Sequence, residues 1–262
     1  MSEPIIQVED LSIQLSGHDI LKDISLSVNR GEYVSIIGPN GAGKTTLIKC
    51  IAGIHRHWSG MIRIHGKQLS DRKPKELAKV QSYVPQAEGR FIPLTVEQFV
   101  ATGRYPHLSA FTTLTTDDHR AIECALEQAG LIAFRHRAMN TLSGGERQMA
   151  FIAAALSQGA SILLLDEPST FLDYRHQANV SSLLKKACRE NGITVVAVHH
   201  DINTATGCSD RIYALKQGSI AVEGTPTEII DAEVLQNIYE TKFHITPSPH
   251  RSLPLITSGG AL

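Results

Sequence analysis

The segment GPNGAGKTT, residues 38–46, has the composition of a loop that holds phosphate groups. It comprises Gly38, Pro39, Asn40, Gly41, Ala42, Gly43, Lys44, Thr45 and Thr46, and it fits the pattern G-x-x-x-x-G-K-[ST]. Glycines let such a loop turn its N–H groups onto phosphate oxygens, Lys44 can reach the β- and γ-phosphates, and the Thr45 hydroxyl can bind Mg²⁺. An apolar run precedes the segment and an apolar helical spacing follows it, which disfavours a plain glycine turn. We therefore predict a nucleotide phosphate site here.

Two further polar motifs follow apolar runs. Asp166 and Glu167 come after the run ILLL, and the histidine pair 199–200 follows the run ITVVAV. A carboxylate at a strand end can hold Mg²⁺ directly or through water, and a second carboxylate can polarise an attacking water. Neighbouring side chains on a strand point to opposite faces, so one histidine can face a nucleotide while the other packs or faces solvent. Because ligands bind beyond the carboxyl ends of strands in open parallel sheets, we expect these motifs and the glycine-rich segment to form one site.

The segment LSGGERQ, residues 142–148, opens a helical pattern with an unusual start. Ser143 and Glu146, three residues apart, form a capping box, which is a sufficient structural reason for both residues. Gly144 and Gly145 exceed what a cap requires, since each glycine costs a helix about 1 kcal/mol relative to alanine. Two glycines suit a backbone that approaches a ligand closely, such as an anion at the start of a helix.

The elements that must position these motifs follow an α/β pattern. Dense apolar runs at 33–37, 162–165 and 193–198 predict strands buried on both faces of a parallel sheet. The alternating N-terminal segment, with a turn at Ser16 and Gly17, predicts antiparallel strands. The stretch from Thr95 to Ser157 has mostly helical spacing and contains no buried-strand run. We expect an α/β phosphate-loop NTPase core with a mostly parallel sheet, an N-terminal antiparallel β subdomain and an inserted helical subdomain. As a single domain, 1–262, it divides into a nucleotide-binding core (1–88 and 159–245), the helical subdomain (89–158) and a C-terminal tail (246–262).

Composition excludes several classes of protein. The 25 basic and 26 acidic residues give a net charge of −1. This near-neutral charge argues against a protein that binds nucleic acid through a broad basic face. The four cysteines are far apart and form no C-x-x-C, so a disulfide scaffold is not expected. Acidic residues near the N-terminus argue against a secretion signal. The uncharged stretch 149–165 is interrupted by polar residues, and we interpret it as a buried helix, a turn and a buried strand.

Taken together, the motifs resemble those of the ATPase subunits of ABC transporters. GPNGAGKTT, LSGGERQ, ILLLDEP, STFLD and a histidine near residue 200 occur in that family's order and spacing, from about residue 8 to 245. The resemblance implies that ATP and Mg²⁺ are the ligands. It also implies that two chains pair head to tail around two ATP molecules, because this chain carries one phosphate loop and one LSGGE signature.

The resemblance also implies roles for individual residues. Gln86 resembles the glutamine that senses Mg²⁺ and the attacking water, and Asp166 and Thr45 would hold the ion. Glu167 resembles the catalytic base, and His200 resembles the histidine that contacts the γ-phosphate.

Three further positions have counterparts in the family. Asp173 resembles the aspartate of the D-loop, and the signature residues 143–145 would contact the γ-phosphate of a nucleotide held by the other subunit. Leu15 stands where an aromatic residue usually stacks on adenine. A leucine can still pack on the purine, but it lacks ring stacking that is often worth about 1 kcal/mol.

A subfamily resemblance concerns the cargo and the membrane partner. Residues 103–107, GRYPH, and 171–177, FLDYRHQ, are similar to those of importers for iron–siderophore complexes, haem and cobalamin. The resemblance implies a peripheral subunit on the cytoplasmic face of the cell membrane. Its region from Gln86 to Phe111 would contact permease subunits, and a periplasmic or surface chelate-binding protein would act with it indirectly.

Two alternative functions remain open from the sequence. One is a soluble ABC ATPase in translation or DNA repair, which usually carries two cassettes or long coiled-coil insertions. The other is a regulatory module that binds nucleotide without hydrolysis. Intact Lys44, Asp166, Glu167 and His200 argue against the second alternative.

Overall fold

A computed structural model describes residues 3–86, 91–109, 112–248 and 253–259. It divides into two compact units: the first unit comprises residues 1–71 and 194–262, and the second unit comprises residues 72–193. Within the described ranges, every helix is too short or too polar to span a lipid bilayer. The predicted division into a core, a helical subdomain and a tail stays a prediction.

The described residues form strands and helices that are numbered in chain order. The strands are β1 (Ile6–Leu15), β2 (His18–Val28), β3 (Tyr33–Ile37), β4 (Ser59–Ile64), β5 (Lys67–Gln68), β6 (Gln81–Val84), β7 (Ile162–Asp166), β8 (Thr194–Val198), β9 (Arg211–Lys216), β10 (Ser219–Gly224), β11 (Phe243–Thr246) and β12 (Leu255–Ser258). The helices are α1 (Lys44–Ile51), α2 (Pro74–Leu77), α3 (Val96–Ala101), α4 (Thr116–Gln128), α5 (Gly144–Ser157), α6 (Tyr174–Arg189), α7 (Ile202–Cys208), α8 (Pro226–Ile229) and α9 (Ala232–Tyr239).

The first unit contains an antiparallel sheet and a largely parallel group of strands. β1 pairs antiparallel with β2 and β4 and carries the predicted tight turn at Ser16 and Gly17. β3 pairs in parallel with β8 and with β9, and β10 joins β9 antiparallel. All five residues of β3 and of β8 are buried. The predicted α/β class, with an antiparallel N-terminal sheet and mostly parallel pairing elsewhere, is confirmed.

The second unit pairs β6 in parallel with β7 and packs α3, α4 and α5 against one another. α5 starts at the capping box of Ser143 and Glu146, in which each side chain bonds the other residue's backbone. The chain reverses after α5 at Gly159 and enters β7, whose five residues are all buried. The predicted order of buried helix, turn and buried strand is therefore confirmed.

The C-terminal segment forms a hairpin that the sequence analysis does not anticipate. β11 and β12 pair antiparallel, and Ile256 on β12 is buried in an apolar cluster with residues of α7, α9 and β9. The side chain of Asn203 on α7 fixes this hairpin: its Nδ2 donates to the Ile256 carbonyl at 2.8 Å, and its Oδ1 accepts the Ile256 N–H at 2.9 Å. Part of the predicted tail is thereby held against the first unit's core.

We predict that Asn203→Ala lowers the free energy of unfolding by about 1–3 kcal/mol, because it removes two hydrogen bonds and leaves the backbone groups of the buried Ile256 unpaired. Urea denaturation followed by circular dichroism measures the change. Ser258→Ala, an exposed substitution on β12, is the control. Equal midpoints for Asn203→Ala and the control would show that the hairpin is not held by this side chain.

Candidate functional site

The glycine-rich loop leaves β3 and leads directly into α1. Gly38 has φ 145°, and a Cβ atom at this position would lie 2.2 Å from the carbonyl oxygen of Leu215. The loop thus begins at a backbone-to-backbone contact with β9 that excludes any side chain. Gly43, the N-cap of α1, also has positive φ and offers no side chain to the first N–H groups of the helix. These N–H groups and the helix dipole favour an anion at the loop.

Lys44 is the first residue of α1, and its side chain is turned back over the loop. It is only 6% exposed, and its Nζ donates to the carbonyl oxygens of Gly38 at 2.8 Å and Pro39 at 2.9 Å. A buried ammonium needs such acceptors, because removing a charge from water without partners is costly. These hydrogen bonds keep the ammonium charge of Lys44 at the loop. A phosphate oxygen bound there could replace the carbonyls, because it is a stronger acceptor.

A tyrosine that the sequence analysis missed supports the start of the loop. The N–H of Gly38 donates to the hydroxyl oxygen of Tyr239 at 3.1 Å. Tyr239 ends α9, and its ring packs edge-on against Phe243 with centroids 5.7 Å apart. Burial raises the pKa of Tyr239 to about 12, so its hydroxyl is neutral at physiological pH. The two bonded residues are 201 positions apart, and no local spacing could have indicated their contact.

The two histidines after β8 have different environments, as strand alternation predicts. His199 is 3% exposed, its Nε2 lies 3.3 Å from the Tyr33 hydroxyl, and burial lowers its pKa to about 4. It is therefore a neutral packing residue. His200 is exposed, and it follows β8 at the edge of the sheet from which the glycine-rich loop leaves β3.

Leu15 lies at the end of β1, beside the turn of the N-terminal hairpin. It is partly exposed and pairs with His18 across that turn. Directly paired residues on antiparallel strands share a face of the sheet, so the leucine and imidazole side chains project together. Leu15 remains a predicted adenine contact.

The second unit brings Gln86, Asp166 and Glu167 to one end of the β6–β7 pair. Asp166 ends β7, is buried, and accepts a bond from the Tyr83 hydroxyl at 3.3 Å. Glu167 has φ 51°, a left-handed conformation that redirects its side chain as the strand ends. Its Oε2 accepts hydrogen bonds from Gln86 Nε2 at 3.2 Å and from the Thr170 hydroxyl at 3.0 Å. Sequence reasoning named the first donor and missed the second.

The predicted signature and D-loop residues are the caps of two helices in the second unit. Ser143 caps α5, and hydrogen bonds from Ser143 hold the pKa of Glu146 below its usual value. Asp173 caps α6 and accepts the backbone N–H of His176 at 2.8 Å. This bond is the main reason why the pKa of Asp173 is lowered, so the carboxylate stays ionised.

The GRYPH segment closes the other end of α5. Arg104 forms a largely buried ion pair with Asp118, with Nε 2.7 Å from Oδ1, and its Nη1 donates to the carbonyl of Ser157 at 2.7 Å. His107 Nε2 donates to the carbonyl of Gln158 at 2.8 Å. Two basic side chains thus cap the last carbonyls of the signature helix, while Tyr105 between them is 74% exposed. Hydrogen bonds from Thr115 and Arg104 hold the pKa of Asp118 well below its usual range.

Some predicted features lie outside what the structure describes. The region predicted to contact a permease includes residues 87–90 and Phe111, which lie outside the described ranges. In the described part of the chain, no group of three or more His, Cys, Asp or Glu side chains is arranged to hold a metal ion.

The loop after β3, with its buried lysine and the helix start behind it, defines a phosphate-binding α/β protein. Comparison with known proteins gives the family. Residues 21–170 match the ABC transporter family. The chain is 36% identical over 250 residues to the iron(3+)-hydroxamate import ATP-binding protein FhuC of Bacillus subtilis, a match that covers 95% of this chain and 93% of that protein. This chain belongs to the ABC transporter family as one of its ATP-binding subunits.

Other relatives agree with this assignment. The chain is 34% identical over 262 residues to the ferric enterobactin transport ATP-binding protein FepC of Escherichia coli, with 99% of this chain and 97% of that protein covered. Among solved structures, an inward-facing metal-chelate type ABC transporter superposes with a TM-score of 0.86 at 25% identity and covers 98% of both chains. A dimeric bacterial ABC transporter cassette superposes with a TM-score of 0.73 at 31% identity and covers 84% of this chain and 98% of that one.

We predict that Tyr239→Phe weakens nucleotide binding by about three- to tenfold, because it leaves the N–H of Gly38 without its acceptor and loosens the start of the loop. Titration with a fluorescent ATP analogue measures the affinity. Tyr213→Phe is the matched control, since the Tyr213 hydroxyl on β9 donates to the carbonyl of Ser27 on β2 at 2.9 Å, elsewhere in the first unit. Equal affinities for the two variants would remove Tyr239 from the site.

Proposed function

We propose that this chain is the ATP-hydrolysing subunit of an importer for an iron–siderophore complex, haem or a related metal chelate. One observation carries the proposal: the chain matches the ATP-binding proteins of iron(3+)-hydroxamate import and of ferric enterobactin transport over nearly its whole length and nearly theirs. The match to a metal-chelate type transporter structure over 98% of both chains supports the same cargo class. The chain uses ATP, as the family does.

The residues of the first unit bind the nucleotide. N–H groups of the loop 38–46 and the ammonium of Lys44 hold the β- and γ-phosphates. His200 contacts the γ-phosphate and stabilises the negative charge that develops on this group during the reaction. Leu15 packs on the adenine. The bonds that Lys44 makes to the loop carbonyls keep its charge in place before the substrate arrives.

The residues of the second unit prepare the water. Glu167 orients a water molecule and takes its proton during in-line attack on the γ-phosphate. Its carboxylate is held by the donors Gln86 and Thr170, both of which bond the same oxygen. The other carboxylate oxygen is therefore the one that faces the water.

The oxygen donors suit Mg²⁺, which prefers carboxylate, hydroxyl and phosphate oxygens. The Thr45 hydroxyl, the Asp166 carboxylate and the Gln86 amide oxygen would hold it. When bound, the ion would neutralise charge on the phosphates.

A second copy of the chain completes each site. This chain carries one phosphate loop and one signature, so two copies pair head to tail, and Ser143, Gly144 and Gly145 of one copy meet the γ-phosphate held by the other. Asp173 lies at the same boundary. The likeness to a dimeric bacterial cassette supports this assembly.

The membrane partner is a pair of permease subunits that dock on the region from Gln86 to Phe111. The GRYPH segment supports this place, because it fixes an exposed tyrosine, Tyr105, on a rigid turn at the end of α5. The chain would then work peripherally on the cytoplasmic face of the membrane. A chelate-binding protein acts with it indirectly.

We predict that Glu167→Gln keeps ATP binding and lowers turnover by about 10²–10⁴-fold, because the amide cannot accept the water's proton. Phosphate release and nucleotide affinity are measured on the same preparation. Glu190→Gln, an exposed change after α6, is the control and should retain full turnover. Unchanged phosphate release in Glu167→Gln would show that another group is the base.

We predict that Leu15→Tyr raises the affinity for ATP by about fivefold, since ring stacking on adenine contributes about 1 kcal/mol. Competition between ATP and GTP for the wild-type and variant chains gives the base preference. His18→Ala, on the partner strand, serves as the comparison. If Leu15→Tyr leaves both affinities unaltered, the base does not lie on this hairpin.

A further inference from the structure

The imidazole of His176 lies between the signature and the D-loop. His176 is in the first turn of α6, and its Nδ1 is 2.8 Å from Oδ1 of Asp173. On the other side of the ring is the backbone of Gly145. A Cβ atom at Gly145 would lie 2.1 Å from both Cγ and Cδ2 of the imidazole and 2.7 Å from its Nε2. The ring therefore contacts both motifs at once.

The ring cannot easily leave this position. Asp173 Oδ1 accepts both the backbone N–H of His176 and its ring N–H, each at 2.8 Å, so that the histidine is bonded twice to one carboxylate. These two bonds are the largest causes of the lowered pKa of Asp173. The atoms that meet Gly145 include Cγ, which stays in place when the ring turns about the Cβ–Cγ bond. The imidazole thus acts as a rigid spacer of fixed width.

This contact explains the second glycine of the signature without reference to ligand. A residue with any side chain at Gly145 would displace the ring and break its bond to Asp173. The cap of α5 and the cap of α6 are therefore packed as one body within the second unit.

We propose that His176 is a positioning residue that fixes the Gly145 backbone against Asp173, so that the signature and the D-loop engage a second, ATP-loaded copy as one rigid surface. This inference rests on the proposed head-to-tail dimer. Groups that stabilise a transferring phosphoryl group must be held in place before the reaction, because the rate depends on their positions to within a fraction of an ångström. The histidine would supply that rigidity from outside the site.

The first experiment measures ATP-induced dimerisation in a Glu167→Gln background by sedimentation velocity. Adding His176→Ala should weaken dimerisation by about tenfold or more, a common size for coupling between two sites. ATP affinity of the single chain should not change, because the phosphate loop belongs to the first unit. Val180→Ala is the matched control: Val180 is buried on the same helix, 1% exposed, and stands one turn beyond His176. This control should lower the thermal midpoint without weakening dimerisation.

Two results would overturn the positioning role. One is dimerisation of the His176→Ala chain at the parent's strength, and the other is an equal loss in Val180→Ala, which would reduce the effect to general destabilisation. If the Glu167→Gln parent itself stays monomeric with ATP, the proposed dimer is wrong, and the proposed role of His176 in dimerisation is wrong as well.

A second experiment tests the contact without any dimer. Thermal midpoints are measured for Gly145→Ala, His176→Ala and the double variant. Gly145→Ala alone should lower the midpoint, because the new Cβ strikes the ring of His176. In the His176→Ala background the ring is gone, so adding Gly145→Ala should lower the midpoint by much less. Strictly additive shifts would show that the two residues do not constrain each other, and the inference would fail whatever the dimer does.

Discussion

The placement of the chemistry depends on the register of parallel strand pairs. In the first unit Ile36 pairs with Val198, so that Gly38 and His200 each stand two residues beyond a paired position. In the second unit Val84 pairs with Leu165, and Gln86 and Glu167 stand at the same offset. A slip of one residue in either pair would turn the inward side chains of a fully buried strand to the opposite face. Burial of the apolar strands thus fixes their register. The register in turn sets the positions of the polar residues at the strand ends.

Buried polar groups in each unit are stabilised by specific partners. Lys44 is held by loop carbonyls, Asp166 by the Tyr83 hydroxyl and the Gly38 N–H by the Tyr239 hydroxyl. An unpaired donor or acceptor in such places would cost about 1–3 kcal/mol, and more if charged. His199 is buried in the neutral form: burial lowers its pKa to about 4, its Nε2 lies 3.3 Å from the Tyr33 hydroxyl, and its ring packs beside the Tyr33 ring with centroids 6.3 Å apart. Two adjacent histidines therefore differ because one belongs to the core and the other to the edge.

What the sequence could predict was local. The glycine-rich loop, the capping box at Ser143, the tight turn before His18 and the buried strands all depend on residues within a few positions of one another. The contacts that sequence reasoning missed join distant segments: Gly38 with Tyr239, and Gly145 with His176. Nothing in the local pattern around Tyr239 distinguishes it from an ordinary helix-end aromatic. The C-terminal hairpin was missed for a related reason, since strands of four residues give too short an alternation to separate them from a loop.

The GRYPH segment illustrates how a resemblance can acquire a physical reason. On sequence alone it only associated this chain with chelate importers. In the structure, Arg104 and His107 hold the last carbonyls of α5, while the first turn of α5 packs on the His176 ring. α5 has 14 residues, so these two attachments are about 20 Å apart on one straight element. Side-chain contacts at both ends therefore fix α5 within the second unit. In the proposed complex, a permease docked at Tyr105 would therefore lie at one end of the same helix whose other end carries Gly145 and the His176 ring.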